Sequence, residues 1–426
     1  MATIMFLPFP EFGHVNPTLK LARELKQSGN RVCYVGLADF DEYVRSQGLE
    51  FIPILESSYP KGSSGERSAR MKLGRVELIM IESREADDEI ISKPLERVKK
   101  EFGAIIRETA PDLLIVDFLI GGLAYMAVRE FGITSAVFSV TLLEGWMIGE
   151  PPDDPQHLQL PMLILCPEEF DFHGAERKPN RHYIEASIDL QRKELHPFPW
   201  RNLNASRPLI YCSLGSESHL YEQSSSLFRA IIEAMRAKPE WQLVLAVGPY
   251  LNASDFEPLP ENVLLVNWAP QLDMLKRASI MITHGGLGAV KECICLGVPM
   301  IVFPFKWDQP FNAARAVAHG LGVRGNVNNV SAREIHSLID AIVGNPLLKS
   351  RIDAMSKKFN EIENSGRGVK LIEKIITDCR DSRNGAARSA RPGASGFNTM
   401  TTIEKNREAF SLAGTARTDT WAKTEG

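Results

Sequence analysis

A cluster of aromatic, polar and glycine residues lies between positions 268 and 309. In chain order it contains Trp268-Ala269-Pro270-Gln271, then His284-Gly285-Gly286-Leu287-Gly288-Ala289, then Glu292, and finally Asp308-Gln309. An aromatic ring can stack on a nucleobase, and glycines at a helix start expose backbone N–H groups to a phosphate. Carboxylate and amide side chains bind the hydroxyls of a ribose or a sugar. Together these residue types indicate a site for a nucleotide-activated sugar.

The first part of the cluster carries an aromatic ring and an amide. Trp268 follows a strand-like run and precedes Pro270, so a rigid turn is expected to hold its ring. Stacking of such a ring on a base contributes about 1–3 kcal/mol. Gln271 can bind the base or the ribose. The alternatives are a core tryptophan and a surface glutamine at the start of a helix.

The second part is a glycine turn between the apolar run Ser279–Ile282 and a predicted helix. The turn Gly286-Leu287-Gly288-Ala289 can bring backbone N–H groups close to a phosphate, and a helix start favours anions. We expect His284 to donate a hydrogen bond to the α-phosphate. The alternative is a histidine at a strand end whose hydrogen bonds are satisfied within the protein.

The last part pairs a carboxylate with an amide. Asp308 and Gln309 suit sugar hydroxyls, because a hydrogen bond to a charged group contributes about 1.5–3 kcal/mol. Intact hydroxyls are favoured, since a deoxygenated sugar would leave these polar groups unpaired. The alternative is that Asp308 is the N-cap and Gln309 the first-turn residue of a helix. Asn312, one turn further on, is a weaker candidate.

A second motif, Gly13-His14-Val15-Asn16-Pro17, follows the first strand-like run. Asn16 is a good N-cap and Pro17 suits the first helical position, which predicts His14 in the tight turn before the helix. Histidine titrates in the range that a general base needs. The alternative for His14 is a role confined to that turn.

Asp117 ends the predicted strand that contains Leu114–Val116. Strand ends of one parallel sheet converge in space, so Asp117 is expected beside His14. We predict that His14 removes a proton from an acceptor hydroxyl while Asp117 orients and stabilises the charged imidazole. The alternative for Asp117 is to cap the helix that is predicted to begin at Gly121.

Residues 268–309 resemble the donor-binding signature of the inverting family 1 glycosyltransferases, the UDP-glycosyltransferase superfamily. In that signature W-x-P-Q, H-x-G, a glutamate and D-Q occur in this order. A weaker similarity extends over residues 1–378. Within the family, the sequence pattern most resembles that of the bacterial macrolide and carotenoid glycosyltransferases. It implies an α/β fold of the GT-B type, in which two Rossmann-like domains with parallel sheets face one cleft.

The resemblance also implies individual roles. Trp268 would stack on uracil or another pyrimidine, and Glu292 would accept the ribose hydroxyls, unless it is a solvated helix carboxylate. The segment Ser213-Leu214-Gly215-Ser216 is similar to the family's phosphate-side loop, although an ordinary strand-to-helix turn explains it as well. Leu287-Gly288-Ala289 departs from the Trp-Asn-Ser of many plant members, so two side-chain donors are replaced by backbone groups.

The reaction that we predict is a direct displacement with inversion at the anomeric carbon. The donor is a nucleoside-diphosphate hexose, for which UDP and glucose are favoured, and it is a co-substrate rather than a cofactor. No metal or cofactor is expected. The helix-start amides and His284 would stabilise the charge that develops on the leaving pyrophosphate.

Length and periodicity predict the domain organisation. A chain of 426 residues exceeds the size at which one core keeps growing, so two domains are expected. Strand-like and helix-like segments alternate in both halves, which is typical of doubly wound α/β sheets. The predicted units are an acceptor-binding domain over 1–200 with a linker at its end, a donor-binding domain over 201–379 and a disordered tail over 380–426. The proline-rich segment from Glu150 to Trp200 is interpreted as loops plus that linker.

Composition excludes other classes of partner. The net charge of −4 and the lack of a long basic run in the body of the chain argue against nucleic acid. The longest apolar run, Leu113–Val128, is too short for a membrane span, and the first residues lack a signal-peptide pattern. Cys293 and Cys295 do not have metal-ligand spacing, so buried thiols in a reduced, cytoplasmic setting are expected.

The acceptor is expected to be a lipophilic small molecule. The loops Phe9–Phe12, Ser57–Arg84 and Thr141–Pro161, the last with Trp146, Met147 and Ile148, supply aromatic and methionine side chains. Residues such as Met71 and Ile79 have the buried face of a long helix as their alternative. Two other functions stay open: a catalytically silent binding protein of the same fold, and a UDP-sugar 2-epimerase.

Overall fold

The computed structural model describes residues 1–62, 89–142, 160–171, 179–194, 196–216 and 218–389. Residues 1–376 form one compact unit. It contains two sheets, and all their described strand pairs are parallel. Within the described part of the chain, no helix is both long and apolar enough to cross a membrane.

The first sheet has seven described strands in the order β3-β2-β1-β4-β5-β6-β7. Their bounds are β1 Thr3–Leu7, β2 Arg31–Gly36, β3 Glu50–Pro53, β4 Leu113–Asp117, β5 Ser135–Ser139, β6 Met162–Ile164 and β7 Arg181–Tyr183. The register pairs Leu7 with Val116, so the chain leaves β1 and β4 at the same edge of the sheet.

The second sheet has six described strands in the order β10-β9-β8-β11-β12-β13. Their bounds are β8 Leu209–Ser213, β9 Gln242–Ala246, β10 Val263–Val266, β11 Ala278–Thr283, β12 Met300–Val302 and β13 Gly322–Arg324. Thr283 is in register with both Ser213 and Val302. The segments that follow β8, β11 and β12 therefore emerge side by side.

The α-helices of the described residues connect and cover these strands. Their bounds are α1 Phe12–Gln27, α2 Asp41–Ser46, α3 Glu89–Thr109, α4 Gly122–Phe131, α5 Ser224–Arg236, α6 Gln271–Leu275, α7 Leu287–Leu296, α8 Gln309–Ala318, α9 Ala332–Val343, α10 Pro346–Glu363 and α11 Arg367–Ser389.

Both faces of each sheet are buried, which explains the continuous apolar runs of the strands. In β1, for example, Phe6 packs in the cluster on one face and Met5 in the cluster on the other. In β11, Met281 and Ile282 divide between two further clusters in the same way. Cys293 and Cys295 are buried thiols, as predicted.

The first helix begins earlier than the sequence predicts. α1 starts at Phe12, with Glu11 at the N-cap position, so His14 lies inside the first turn and Pro17 inside the helix. Asn16 is not the N-cap; its Oδ1 accepts a hydrogen bond from the Tyr43 hydroxyl at 2.6 Å. The prediction failed because Pro17 lacks only its own N–H, which costs one helical hydrogen bond near the helix start.

The proline-rich segment contains two strands that were not predicted. Met162–Ile164 and Arg181–Tyr183 extend the first sheet at one edge, next to Ser135–Ser139. Three residues are too few to show a periodic pattern, and the hydrogen bonds that define these strands come from distant parts of the chain. The remaining described part of this segment is irregular.

The last helix returns to the first sheet. Ile372 and Ile376 of α11 belong to the same buried cluster as Phe6 and Leu19. The domain divisions at residues 200 and 379 remain predictions. The helix continues to Ser389, so the predicted disorder is wrong for residues 380–389. A helix that is anchored by packing at one end can extend through polar residues.

Several predicted segments lie outside the described residues. They are most of the acceptor loops Ser57–Arg84 and Thr141–Pro161, with Met71, Ile79, Trp146, Met147 and Ile148, and the tail from residue 390 onward.

Candidate active site

One cavity of about 270 Å³ is lined by segments that follow strands of both sheets. From the first half of the chain it receives Glu11 and residues of the first turns of α1, among them Phe12 and His14. From the second half it receives the following predicted site residues: Ser213, Gly215, Ser216, Trp268, Ala269, Gln271, His284, Gly286, Leu287, Gly288, Ala289, Glu292, Asp308 and Gln309. Ligands of open α/β sheets bind at the carboxyl ends of the strands, which is where this cavity lies.

His14 and Asp117 form a buried pair. Nδ1 of His14 lies 2.7 Å from Oδ2 of Asp117, whose side chain is fully buried behind the cavity wall. The other carboxylate oxygen accepts from the backbone N–H of Leu119 at 3.0 Å. Asp117 is the N-cap of the short 3₁₀ helix Phe118–Ile120. The predicted partner role and a capping role therefore coexist, although the capped helix is not the one predicted.

This pairing defines what the imidazole can do. A carboxylate on Nδ1 favours the tautomer with its proton on that nitrogen, which leaves Nε2 as the proton acceptor. The Phe9 ring packs edge-on against His14, with centroids 5.4 Å apart. The His14 side chain keeps 13% exposure at the cavity. A histidine held in this way by a carboxylate is able to accept a proton at Nε2.

His284 lies between two glycines of neighbouring loops. A Cβ atom placed on Gly215 would approach the His284 ring to 2.9 Å, and one on Gly286 would approach it to 2.6 Å. These two positions therefore need glycine because they accommodate the imidazole. Although the ring reaches the cavity, burial lowers its pKa to about 4. His284 is thus a neutral hydrogen-bond donor near pH 7, next to the first turn of α7.

The start of α7 is open to the cavity. Apart from its chain neighbours and the backbone of its own helix, no described heavy atom lies within 4 Å of a Cβ placed on Gly288. Leu287, Gly288 and Ala289 occupy the first turn of α7, whose backbone N–H groups lack helical acceptors. A helix start with space around it suits an anionic group such as a phosphate.

The carboxylate of Glu292 has a protein partner on each oxygen. Oε2 accepts from Nε2 of Gln271 at 2.6 Å, and Oε1 accepts from Nη1 of Arg192 at 2.9 Å. Glu292 is only 6% exposed, so it is not the solvated helix carboxylate that was the alternative. Gln271 begins α6 and faces the cavity rather than the outer surface.

Asp308 lies at the N-cap position of α8 but does not cap the helix with its side chain. Its Oδ2 accepts from Nδ2 of Asn312 at 2.9 Å, and the same amide donates to the carbonyl of Gly285 at 2.8 Å. Burial raises the pKa of Asp308, and the bond from Asn312 and the charge of His14 oppose that rise. Asp308 and His14 both line the cavity.

Most hydrogen-bonding groups of the Gln309 side-chain amide have partners within the protein. Its Oε1 accepts from the backbone N–H groups of Phe305 and Lys306 at 2.9 and 3.2 Å, and Nε2 donates to the Tyr221 hydroxyl at 3.0 Å. Within the described hydrogen bonds, this leaves the second amide hydrogen for a sugar hydroxyl. Gln309 therefore holds the turn before α8 as well as lining the cavity.

Trp268 is partly exposed and lines the cavity, so it is not a core tryptophan. Its ring packs against Phe12 of α1 and against His196, each at a centroid distance of 5.8 Å. The first half of the chain thus contacts the aromatic ring that is predicted to stack on the base.

Several residues that line the cavity were not predicted, among them Arg192, Glu194, Lys291 and Trp307. Arg192 and Glu194 belong to the charged triplet 192–194 of the proline-rich segment. An isolated charged triplet of this kind predicts a solvated loop rather than a buried site. Lys291, beside Glu292, is 1% exposed and donates to the carbonyl of Ala186 at 2.8 Å. Trp307 precedes Asp308 and keeps 45% exposure, with a backbone φ of 58°. The sequence does not predict that the bulky Trp307 adopts a left-handed backbone conformation.

Comparison with known proteins identifies the class. The family model described as UDP-glucoronosyl and UDP-glucosyl transferase matches residues 146–370, which is more than half of the chain. The chain therefore belongs to this family of glycosyltransferases, and the predicted family and enzyme class are confirmed.

Individual relatives agree over most of the length. The NDP-glycosyltransferase YjiC of Bacillus licheniformis is 24% identical over 404 residues, which cover 88% of this chain and 97% of that protein. The demethyllactenocin mycarosyltransferase of Streptomyces fradiae is 25% identical over 425 residues, covering 88% and 87%. The solved glycotransferase of kitacinnamycin has a TM-score of 0.68 at 24% identity and covers 88% of this chain and 99% of that one. With the two parallel sheets, this likeness confirms the predicted GT-B fold.

Proposed function

We propose that this glycosyltransferase moves a hexose from a nucleoside-diphosphate sugar to a hydroxyl of a lipophilic small molecule, with inversion at the anomeric carbon. The observation that carries the proposal is the single cavity that His14, His284 and Asp308 share. A base for the acceptor, a donor to the leaving group and a carboxylate for the sugar are the groups that this displacement needs.

The acceptor is activated by the first half of the chain. Nε2 of His14 takes the proton of the acceptor hydroxyl, and the Asp117 carboxylate stabilises the imidazolium that results. The acceptor oxygen then forms a bond to the anomeric carbon as the bond from that carbon to the diphosphate oxygen breaks. Attack opposite the leaving group converts an α-linked donor into a β-glycoside.

The donor is held by the second half. The neutral His284 and the N–H groups at the start of α7 bind the diphosphate and stabilise its developing charge. Trp268 stacks on the base and Glu292 binds the ribose. Asp308 and the second amide hydrogen of Gln309 bind the sugar, which favours a donor with intact hydroxyls, glucose first. UDP is the favoured nucleotide, and no metal or cofactor is required.

The acceptor class is supported by two facts. Phe12, the first residue of α1, lines the cavity, and Trp307 is exposed beside Asp308. The matched relatives include an enzyme named for a natural-product substrate, the demethyllactenocin mycarosyltransferase. We therefore propose a natural product or a related lipophilic aglycone as the acceptor.

The test is a transfer assay with purified protein. A panel of nucleotide sugars is combined with a panel of hydrophobic aglycones, and the products are read by mass spectrometry and by NMR of the anomeric centre. A β-glycoside formed from an α-linked donor supports the proposal. Donor binding without any transfer would favour the catalytically silent alternative, and release of an epimerised sugar would favour the 2-epimerase.

A further inference from the structure

The carboxylate of Glu292 is satisfied before any donor binds. Arg192 donates to one oxygen at 2.9 Å and Gln271 to the other at 2.6 Å. Both members of the Arg192–Glu292 pair are nearly buried, with side-chain exposures of 6% and 8%. This pair joins the irregular segment after β7 to helix α7 of the second sheet.

The charge of Arg192 is secured by its surroundings. Burial, the largest single effect, opposes the charge, but Glu292, Tyr43 and Glu194 together outweigh it, and the guanidinium pKa is raised. Glu194 lies 3.7 Å from the same guanidinium.

A carboxylate has room for about four hydrogen bonds, and two sites are filled here. A ribose offers two hydroxyls to the remaining sites, whereas a 2′-deoxyribose offers one. A buried polar group that depends on a substrate hydroxyl rejects the analogue that lacks it, by roughly 10⁴-fold or more, because the group is left unpaired. Each oxygen of Glu292 keeps a protein partner whichever sugar is bound, so that penalty does not arise.

We propose that Arg192 makes the donor site tolerant at the 2′ position, so that ribo- and 2′-deoxyribonucleoside-diphosphate sugars are both used. This inference rests on the proposed function, in which Glu292 contacts the ribose. Arg192 acts through Glu292 and is a specificity-determining residue rather than a catalytic one.

The experiment compares two ligands that differ only in the 2′ hydroxyl. Binding of UDP and of 2′-deoxy-UDP is measured by calorimetry, and kcat/KM is measured with UDP-glucose and 2′-deoxy-UDP-glucose. For the wild type we expect the two ligands to differ by no more than about tenfold. In Arg192→Met the oxygen of Glu292 loses its partner, and the preference for the ribo ligand should rise by about tenfold or more.

Two further variants serve as controls. Arg192→Lys keeps a charged donor and should keep a ratio near that of the wild type. Arg23→Met removes a neighbouring ion pair with Asp189, at 2.7 Å, that does not touch Glu292, and its ratio should not change.

The outcomes are distinguishable. A wild-type preference for UDP above about 100-fold, or an unchanged ratio in Arg192→Met, overturns the inference. Should Arg192→Met fail to fold, the wild-type ratio and Arg192→Lys decide the question. Binding of both diphosphates with a small ratio but without transfer supports the inference and refutes the proposed reaction. Absence of binding by either diphosphate refutes both.

Discussion

The ammonium group of Lys291 donates a hydrogen bond to the carbonyl oxygen of Ala186, 2.8 Å away. It also donates to the carbonyl of Leu165. Lys291 belongs to α7, the helix that begins at the glycine turn. Both carbonyls belong to segments that follow strands of the first sheet. In the same way Nε of Arg315, from the helix after Asp308-Gln309, donates to the carbonyl of Phe170 at 2.9 Å. The buried side chains of Lys291 in α7 and Arg315 in α8 thus hold the two halves of the cavity together.

Replacing Lys291 by methionine should lower the free energy of unfolding by about 1–3 kcal/mol, because two buried carbonyls lose their donor. Chemical denaturation measures the change. Lys357→Met is the matched control, because the Lys357 side chain is 80% exposed and its ion pair with Glu361 is 4.0 Å long. The control should change stability by no more than about 0.5 kcal/mol. Equal losses in the two variants would argue against a fastening role for Lys291.

Replacing His14 by alanine should lower kcat by about 10²–10⁴-fold, because the general base is lost. The affinity for the donor nucleotide, measured by calorimetry, should stay within a factor of about two. Asp117→Asn should lower kcat as well, since it weakens stabilisation of the imidazolium. His182→Ala is the control, because His182 lies in β7 of the same sheet and does not line the cavity. Undiminished turnover by His14→Ala would remove this histidine from the mechanism.

Replacing Asp308 by alanine should weaken discrimination between glucose and deoxygenated donors more than it weakens nucleotide affinity, because the carboxylate binds sugar hydroxyls in the proposed complex. Competition between UDP-glucose and a deoxygenated UDP-hexose in one reaction measures this ratio. Since burial raises the pKa of Asp308, its charge is lost at a higher pH than that of a solvated aspartate. In the wild type the donor KM should therefore rise as the pH falls, and this rise should be absent in Asp308→Asn.

The stability of the protein should depend on pH through His284. Burial lowers the pKa of this histidine to about 4 from 6.5, so the unfolded chain binds the proton first as the pH falls. The contribution of His284 is present above pH 6.5 and is lost between about pH 6.5 and 4, by up to about 3 kcal/mol. Denaturation curves of the wild type and His284→Asn across this range give the difference. Parallel curves would mean that His284 is protonated as readily in the fold as in the unfolded chain.

The backbone at Trp307 should be strained. Its φ of 58° is unfavourable for a residue with a bulky side chain. Trp307→Gly and Trp307→Ala both remove the ring, so their comparison isolates the backbone. We expect the glycine variant to be the more stable of the two by about 1 kcal/mol. Both should have a lower kcat/KM than the wild type, because the exposed indole lies beside Asp308 in the cavity. An alanine variant as stable as the glycine variant would refute the strain.

Much of the fold followed from local patterns. Buried parallel strands such as Leu113–Asp117 are continuous apolar runs, and their ends converge by the geometry of a parallel sheet. The prediction that Asp117 meets His14 needed no more than this. The strands Met162–Ile164 and Arg181–Tyr183 escaped prediction because a three-residue strand is defined by its neighbours rather than by its own residues.

The residue types around the cavity were determined by the sequence alone: an imidazole and a carboxylate after two strands of one half, and an aromatic ring, a glycine turn, two carboxylates and an amide in the other. Most of these residues lie directly after a strand. Their positions relative to that strand are therefore the same in any fold that keeps it. Only the tertiary structure decided which partners these groups have. Arg192 and Glu292 are 100 positions apart in the chain, Lys291 and Ala186 are 105 apart, and His284 receives its space from Gly215. Such contacts depend on how two separately formed sheets pack, and no periodicity along the chain encodes that packing.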